Sequence, residues 1–292
     1  MTLGRAVRLR RLFSHPSGRF CSVAVDHFVN YSEGLPPALR RMRETLAALM
    51  SGRPDAVTMM KGVAMSLWQP YAGEVPLIIQ TIAARPDDKS REQMATVEEV
   101  VRLGADAVAA AAFIKGPTEA SNLRPLADLV RAAEPYGLPV IAHIYPRRFD
   151  ERAGASFSHG ASISLDPEDI AWAVHCGLEL GVDVVKTPYC GDVAAFADII
   201  ADCPLPVIVA GGPKTTDLAE ALTTTGEAVR AGARGATIGR NIWGHARVTA
   251  ALRAFQAVVH DGSSAAEALQ LAGLCEEQPS GQARASSPMC IK

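Results

Sequence analysis

One joint recurs along this chain: a glycine closes a helical stretch and hands over, within two or three residues, to a short apolar strand. Gly104-Ala105-Asp106-Ala107-Val108, Gly181-Val182-Asp183-Val184-Val185 and Gly232-Ala233-Arg234-Gly235-Ala236 repeat it. Gly52-Arg53-Pro54-Asp55-Ala56-Val57 is a looser copy, and Gly137-Leu138-Pro139-Val140-Ile141 does the same job with other residues. Glycine at such a joint predicts the helix C′ position in left-handed conformation. Eight apolar runs read as strands: Cys21–Asp26, Asp55–Met60, Pro76–Thr81, Asp106–Ala112, Pro139–Tyr145, Val182–Lys186, Pro206–Gly211 and Gly235–Gly239. Their starts lie roughly 20 to 45 residues apart, room for a helix between most neighbours. They are continuously apolar rather than alternating, as suits parallel strands covered on both faces. The pattern predicts an α/β chain folded as a single (β/α)8 TIM barrel over residues 1–275, with a flexible tail over 276–292 rich in Glu, Gln, Pro, Gly and Ser.

Helix signals sit where the joints require them. Asp166 is an N-cap with Pro167 at N1, opening Ile170–Leu180, and Thr96-Val97-Glu98-Glu99 is a capping box. The second unit is weak: 62–75 contains Trp68, Pro70 and Tyr71, so any helix there is short. Asp150–Ser164 reads as a long loop after the fifth strand, at the end of the barrel where loops cover sites.

Composition narrows the partners. At 292 residues, 48% apolar, with a formal net charge of -2, the chain buries a core but offers no electrostatic case for nucleic acid. The apolar runs are too short to span a bilayer, and the N-terminus lacks the long apolar segment of a signal peptide. Six cysteines without CxxC spacing read as free thiols. Cys190, four residues beyond Lys186, is expected near the same mouth with no chemical role. A cytoplasmic enzyme acting on a small molecule is the expectation.

In (β/α)8 enzymes the site lies at the carboxyl ends of the strands, which makes a short list of candidates. Lys186 ends the sixth strand. Burial there disfavours the ammonium, and a neutral amine attacks a ketone to form an iminium, an electron sink for carbon–carbon bond cleavage. A lysine reaching from the strand end to solvent, or paired with an acid, is the plainer alternative. Tyr145 and Asp26 are the proton handlers in reach, though either also reads as a rim aromatic or a loop cap. Gly211, Gly212, Gly239 and Arg240 follow the seventh and eighth strands, the usual barrel phosphate position, and Lys214 adds charge or faces solvent. Lys61 and Lys115 also end strands and are rivals to Lys186, or a second phosphate site. His27 and His143 beside Asp26 suggest a metal, but no spaced ligand set supports one, so they read as satisfied polar histidines. No metal and no cofactor is expected.

Val23-Ala24-Val25-Asp26-His27, Tyr145-Pro146-Arg147, Asp183-Val184-Val185-Lys186-Thr187, Gly211-Gly212-Pro213-Lys214 and Gly239-Arg240-Asn241 stand in the order of one known family. Together they resemble the archaeal-type class I fructose-bisphosphate aldolases of the DeoC/LacD superfamily, over most of the chain. The resemblance implies a metal-independent barrel in a homo-oligomer, with Lys186 as Schiff-base lysine, Tyr145 as acid/base and Asp26 assisting. It implies phosphate binding by Gly211, Gly212, Gly239 and Arg240, with Lys214 and His27 also on the substrate side. Phe28, Ile144 and Ala210 depart from the family's glycine, tryptophan and serine, leaving the particular ketose phosphate open. Fructose 1,6-bisphosphate or a related sugar phosphate is expected. Acyl- or aldol-transferases, thiolase-like or transaldolase-like, share the same lysine scaffold, and a sugar-phosphate-binding barrel without turnover is a further alternative.

Overall fold

The computed structural model describes residues 2–27, 36–85, 91–149 and 161–274. Eight parallel strands form the barrel: β1 Phe20–Ala24, β2 Ala56–Met60, β3 Leu77–Ala84, β4 Ala107–Ile114, β5 Val140–Phe149, β6 Val184–Thr187, β7 Val207–Ala210 and β8 Gly235–Ile238. Each pairs with the next, and β8 returns to β1 through Phe20↔Gly235 to Val23↔Ile238, so the sheet closes on itself. Gly235 permits that closure, because a Cβ there would lie 1.9 Å from the Phe20 carbonyl oxygen.

The joints behave as the sequence predicts, with one exception. Gly104, Gly137, Gly181 and Gly232 all take positive φ, from 54° to 108°. Gly52 does not: its φ is -91°, and Arg53 carries the left-handed turn at +50°. The glycine is needed for packing instead, since a Cβ would meet Leu252 Cδ2 at 2.6 Å. Asp166 caps Pro167–Leu180, Thr96 closes its capping box on Glu99, and the second unit holds only the short helix Lys61–Leu67.

Three features have no counterpart in the sequence reading. The helix Leu3–Leu12 plugs the amino-terminal end of the barrel, with Leu12 packed among Phe20, Ile78, Ile141, Val184 and Ile208. Strand β5 runs on past Tyr145 to Phe149, and Ala161–Ile163 pairs antiparallel with Arg147–Phe149. The expected loop Asp150–Ser164 therefore ends in a strand, because ladder hydrogen bonds satisfy its backbone. A similar short strand, Arg91–Gln93, pairs antiparallel with the end of β3. Residues 150–160, Phe28, Cys275, Cys290 and the tail 276–292 lie outside the described residues. The four described cysteines, Cys21, Cys176, Cys190 and Cys203, are free. Among the described residues no helix is long and apolar enough to cross a membrane.

Above the apolar plug the barrel interior changes character. Ser22 and Thr237 face each other with their hydroxyl oxygens 2.8 Å apart, and Gln80, His143 and Lys186 are buried nearby. A polar layer at mid-height, over a dry floor, is the ground on which the site is built.

Candidate active site

The alternation of β6 turns Val184 into the apolar plug and Val185 outward onto the helices, which leaves Lys186 pointing into the barrel. Its side chain opens into a cavity of about 670 Å³ at the carboxyl ends of the strands. Lys186 is only 6% exposed. Burial lowers its pKa from 10.5 to about 8, against the opposing pull of the Asp26 carboxylate. Desolvation thus outweighs the nearby charge. No carboxylate among the described residues lies within ion-pair distance of the amine, so the expected alternative of a paired or solvent-reaching lysine is not what the structure shows.

Asp26 and Tyr145 reach the same cavity. Asp26 follows β1 and is buried, with its Oδ1 3.6 Å from His27 Nδ1. Tyr145 stands on β5, stacked on Phe113 with ring centres 5.6 Å apart. His27 packs edge-on against Trp243 at 5.1 Å, and the Trp243 Nε1 donates to the Ala24 carbonyl at 3.0 Å.

The glycine turns after β7 and β8 form the wall between Lys186 and Asp26. Gly211, Gly212, Gly239 and Arg240 all line the cavity. The Gly211 amide already donates to the Thr237 carbonyl at 3.0 Å. What Gly211 contributes is closeness: a Cβ would fall 2.9 Å from Ile238 Cα. Gly212 turns the chain with φ +67°, and the Arg240 Nη2 donates to its carbonyl at 3.2 Å. Lys214 is not brought to the cavity wall; its Nζ donates to the Gly244 carbonyl at 2.8 Å on the surface.

The rival lysines go elsewhere. Lys61 Nζ lies 2.6 Å from Glu99 Oε1, and Lys115 Nζ lies 3.2 Å from Asp169 and over the Trp172 ring. Neither lines the cavity. Cys190 does not line it either, and its thiol donates to the Asp192 carbonyl at 3.4 Å.

Asn241, Gln80 and Tyr189 line the cavity although the sequence reading assigns them no role. Asn241 is buried, donating from Nδ2 to the Gly211 and Pro213 carbonyls at 2.9 Å each, while its Oδ1 accepts from the Thr215 amide at 2.9 Å. It holds the Gly211–Thr215 turn as one piece. Gln80 follows the inward face of β3, just before a register shift, and its Nε2 donates to the Ile82 carbonyl at 2.8 Å. Tyr189, three residues past Lys186, presents a phenol whose pKa burial pushes up to about 12. A short polar residue after Gly239 and a glutamine in an apolar strand were the available signals. His143 was expected to be a satisfied histidine; it lines the cavity with no hydrogen-bond partner among the described residues. No group of three or more metal-binding side chains occurs among the described residues.

Comparison with known proteins gives the family and the fold. The model of the DeoC/LacD family aldolases matches residues 20–245. The chain is 32% identical over 244 residues to 2-amino-4,5-dihydroxy-6-oxo-7-(phosphonooxy)heptanoate synthase of Streptomyces griseus, covering 82% of this chain and 84% of that protein. It is 32% identical over 276 residues to 2-amino-3,7-dideoxy-D-threo-hept-6-ulosonate synthase of Halobacterium salinarum, covering 93% and 97%. Among solved structures, an archaeal fructose 1,6-bisphosphate aldolase superposes with a TM-score of 0.75 at 26% identity, over 88% of this chain and all of the other. A second archaeal fructose-1,6-bisphosphate aldolase, with its catalytic lysine covalently bound to the carbinolamine intermediate, gives 0.73 at 26% identity over 88% and 99%.

Proposed function

Because this chain belongs to the DeoC/LacD aldolase family, we propose that it makes or breaks a carbon–carbon bond in a phosphorylated ketose through an iminium on Lys186. The observation that carries this reading is a buried amine with its pKa lowered to about 8, opening into a cavity whose wall at the ends of β7 and β8 is made of glycine turns and Arg240. Near pH 7.5 about a quarter of such an amine is neutral, against roughly a thousandth for an ordinary lysine. That difference is what a nucleophile needs.

The roles follow from position. The Lys186 nitrogen attacks the ketone carbon, and loss of water leaves the iminium. Tyr145, on the neighbouring strand and nearer the mouth, takes the proton from the hydroxyl on the far carbon of the breaking bond, which becomes the carbonyl of the leaving aldehyde. The electron pair released on cleavage collapses into the iminium as an enamine, which is reprotonated and hydrolysed. Asp26 supports the cationic stages through its charge. The amides of Gly212, Gly239 and Arg240, with the Arg240 guanidinium, take the phosphate; Gly211 supplies close approach and Asn241 the shape of the turn.

The curated relatives favour running the bond in the forming direction. Both are synthases, and the Streptomyces griseus product carries a 6-oxo group, 4,5-hydroxyls and a 7-phosphonooxy group. A hydroxyl two carbons from a ketone is the mark of an aldol addition. We therefore place condensation of a ketose phosphate with a second carbonyl compound beside simple cleavage of fructose 1,6-bisphosphate. One experiment separates them. The protein is incubated with fructose 1,6-bisphosphate, or with dihydroxyacetone phosphate plus a panel of aldehydes, then trapped with borohydride and read by mass and peptide mapping. Adduct mass on Lys186 supports the lysine assignment, and the product that accumulates decides between the two directions. Labelling of any other lysine refutes it.

A further inference from the structure

Beside Lys186 the cavity holds a titratable side chain to which the chemistry above gives no task. His143 lies on the inward face of β5 and is paired in register with Lys186 on β6. Neighbouring strands run about 4.8 Å apart, so imidazole and amine rise from adjacent backbone at the same height. Tyr145 follows two residues later on the same face, about 6 to 7 Å nearer the mouth. The side chain is 5% exposed, and what it exposes opens into the cavity. Among the described residues no donor or acceptor engages either ring nitrogen. His27, by contrast, has Asp26 at 3.6 Å and the Trp243 ring against it. Open to the cavity, the ring is in reach of a group that arrives with the substrate.

Burial, and then the charge of Lys186, hold His143 well below the ordinary histidine value. It is therefore a neutral imidazole, with one nitrogen to accept a proton and the other carrying one to give. Such a ring beside an amine nucleophile is a two-ended relay.

We propose that His143 is a further catalytic residue, carrying the proton from the Lys186 nitrogen to the carbinolamine oxygen. The inference rests on the Schiff-base reading of Lys186. When the nitrogen lone pair forms the new N–C bond, the carbonyl π pair moves to oxygen, leaving an alkoxide beside an ammonium. His143 takes one proton from that ammonium and delivers one to the alkoxide. One N–H is lost, one O–H is gained, and the ring ends neutral. Tyr145, a level higher, is left to serve the carbon–carbon bond. His143 thus governs how fast the iminium forms and hydrolyses, and Tyr145 governs what happens once it exists.

The test uses the full-length enzyme with dihydroxyacetone phosphate as the ketone, quenched into borohydride at graded times, with the reduced adduct on Lys186 followed by mass. His143→Gln keeps the size and a hydrogen-bonding group but cannot relay a proton; His143→Ala leaves a hole. Both should form the adduct about 100- to 1,000-fold more slowly while reaching the same final extent. Imidazole in the buffer should restore part of the rate to the alanine variant and none to the glutamine variant. Adduct formation at the wild-type rate in either folded variant, or no rescue of the alanine variant, overturns the proposal. If only the glutamine variant folds, its rate alone decides. Should the wild-type enzyme itself never carry the adduct on Lys186, the reading of the lysine fails instead, and the two failures are told apart.

Discussion

Gly239 lies so close to His27 that a methyl group on its Cα would fall 2.5 Å from the ring Cε1 and 2.8 Å from Nε2. The ring has little room to retreat, because Trp243 packs across it and holds the Ala24 carbonyl. The same methyl would also stand 3.1 Å from that carbonyl oxygen. Gly239→Ala is expected to destabilise the fold by about 1–3 kcal/mol, the usual range for overpacking, and to raise KM for a ketose phosphate at least about tenfold as the turn shifts. Adding His27→Ala should recover much of the stability. A double-mutant cycle in urea checks this; strictly additive losses would mean that the contact is not the cause.

A lysine whose folded pKa is lowered works against folding wherever it is protonated in the unfolded chain. Between about pH 8 and 10.5 the unfolded state binds the extra proton, so stability is lowest below pH 8 and recovers as the pH climbs through that window. The full effect is about 3 kcal/mol. Lys186→Met, which keeps the length and removes the charge, should therefore abolish turnover yet be more stable than the parent at pH 7 by up to about that amount. The advantage should shrink towards pH 10. Urea midpoints of both proteins at the two pH values test it, and a variant weaker than the parent at pH 7 would count against a desolvated amine. In the wild type, kcat/KM is expected to rise with pH along a limb centred near 8.

The barrel was legible because its signals are local. A glycine such as Gly181 must take positive φ at the helix end, and the apolar run after it can only be a covered strand. Lys186 was legible for the same reason, as a charged residue at the end of such a run. The features that escaped depend on distance. Nothing near Asn241 announces that its amide reaches carbonyls 28 and 30 residues away. The helix Leu3–Leu12 carries five apolar residues among four arginines, and the role of Leu12 appears only when the barrel floor is there to receive it. Gly52 shows the converse error, in which the right residue type has a packing reason in place of a conformational one.

Lys61 and Lys115 end strands as Lys186 does, but their amines are held by Glu99 and Asp169 on the outside of the cavity. Both pairs are a third or so exposed, and pairs of that kind contribute little. Lys61→Met and Lys115→Met are expected to keep kcat and KM within about twofold of the parent and to retain borohydride trapping on Lys186. Loss of trapping in either variant would move the nucleophile.

Asn241 donates two hydrogen bonds within a single turn and accepts from both the amide and the hydroxyl of Thr215, so changing its donor alone is informative. Asn241→Asp keeps the shape and the acceptor for the Thr215 amide, but turns an oxygen toward the Gly211 and Pro213 carbonyls. Two acceptors then lose their donor and face a negative charge. A stability loss of about 2–4 kcal/mol is expected, together with a KM for ketose phosphates raised about 10- to 100-fold. The loss should fall mainly on KM, because Lys186 stands on a different strand. Thermal melts and steady-state kinetics check both halves; an equal fall in kcat at saturating substrate would show that the turn also positions the reacting carbon.

Arg240 and Lys214 bring their positive charges to the same turn in different ways. Arg240 lines the cavity and donates from Nη2 to the Gly212 carbonyl, which sets its guanidinium beside the turn. Lys214 lies outside the wall with its amine on the Gly244 carbonyl. If phosphate sits between Gly212 and Gly239, Arg240→Gln should raise KM for a ketose phosphate about 100-fold, the loss of roughly 2–3 kcal/mol for a charge-assisted bond. Lys214→Met should raise it no more than a few-fold. The decisive control is the ketose without its phosphate. On that substrate the parent is already poor, and Arg240→Gln should cost it almost nothing further, because the group that the guanidinium meets is missing. An equal loss on both substrates would place the phosphate elsewhere and assign Arg240 to holding the Gly211–Thr215 turn in shape.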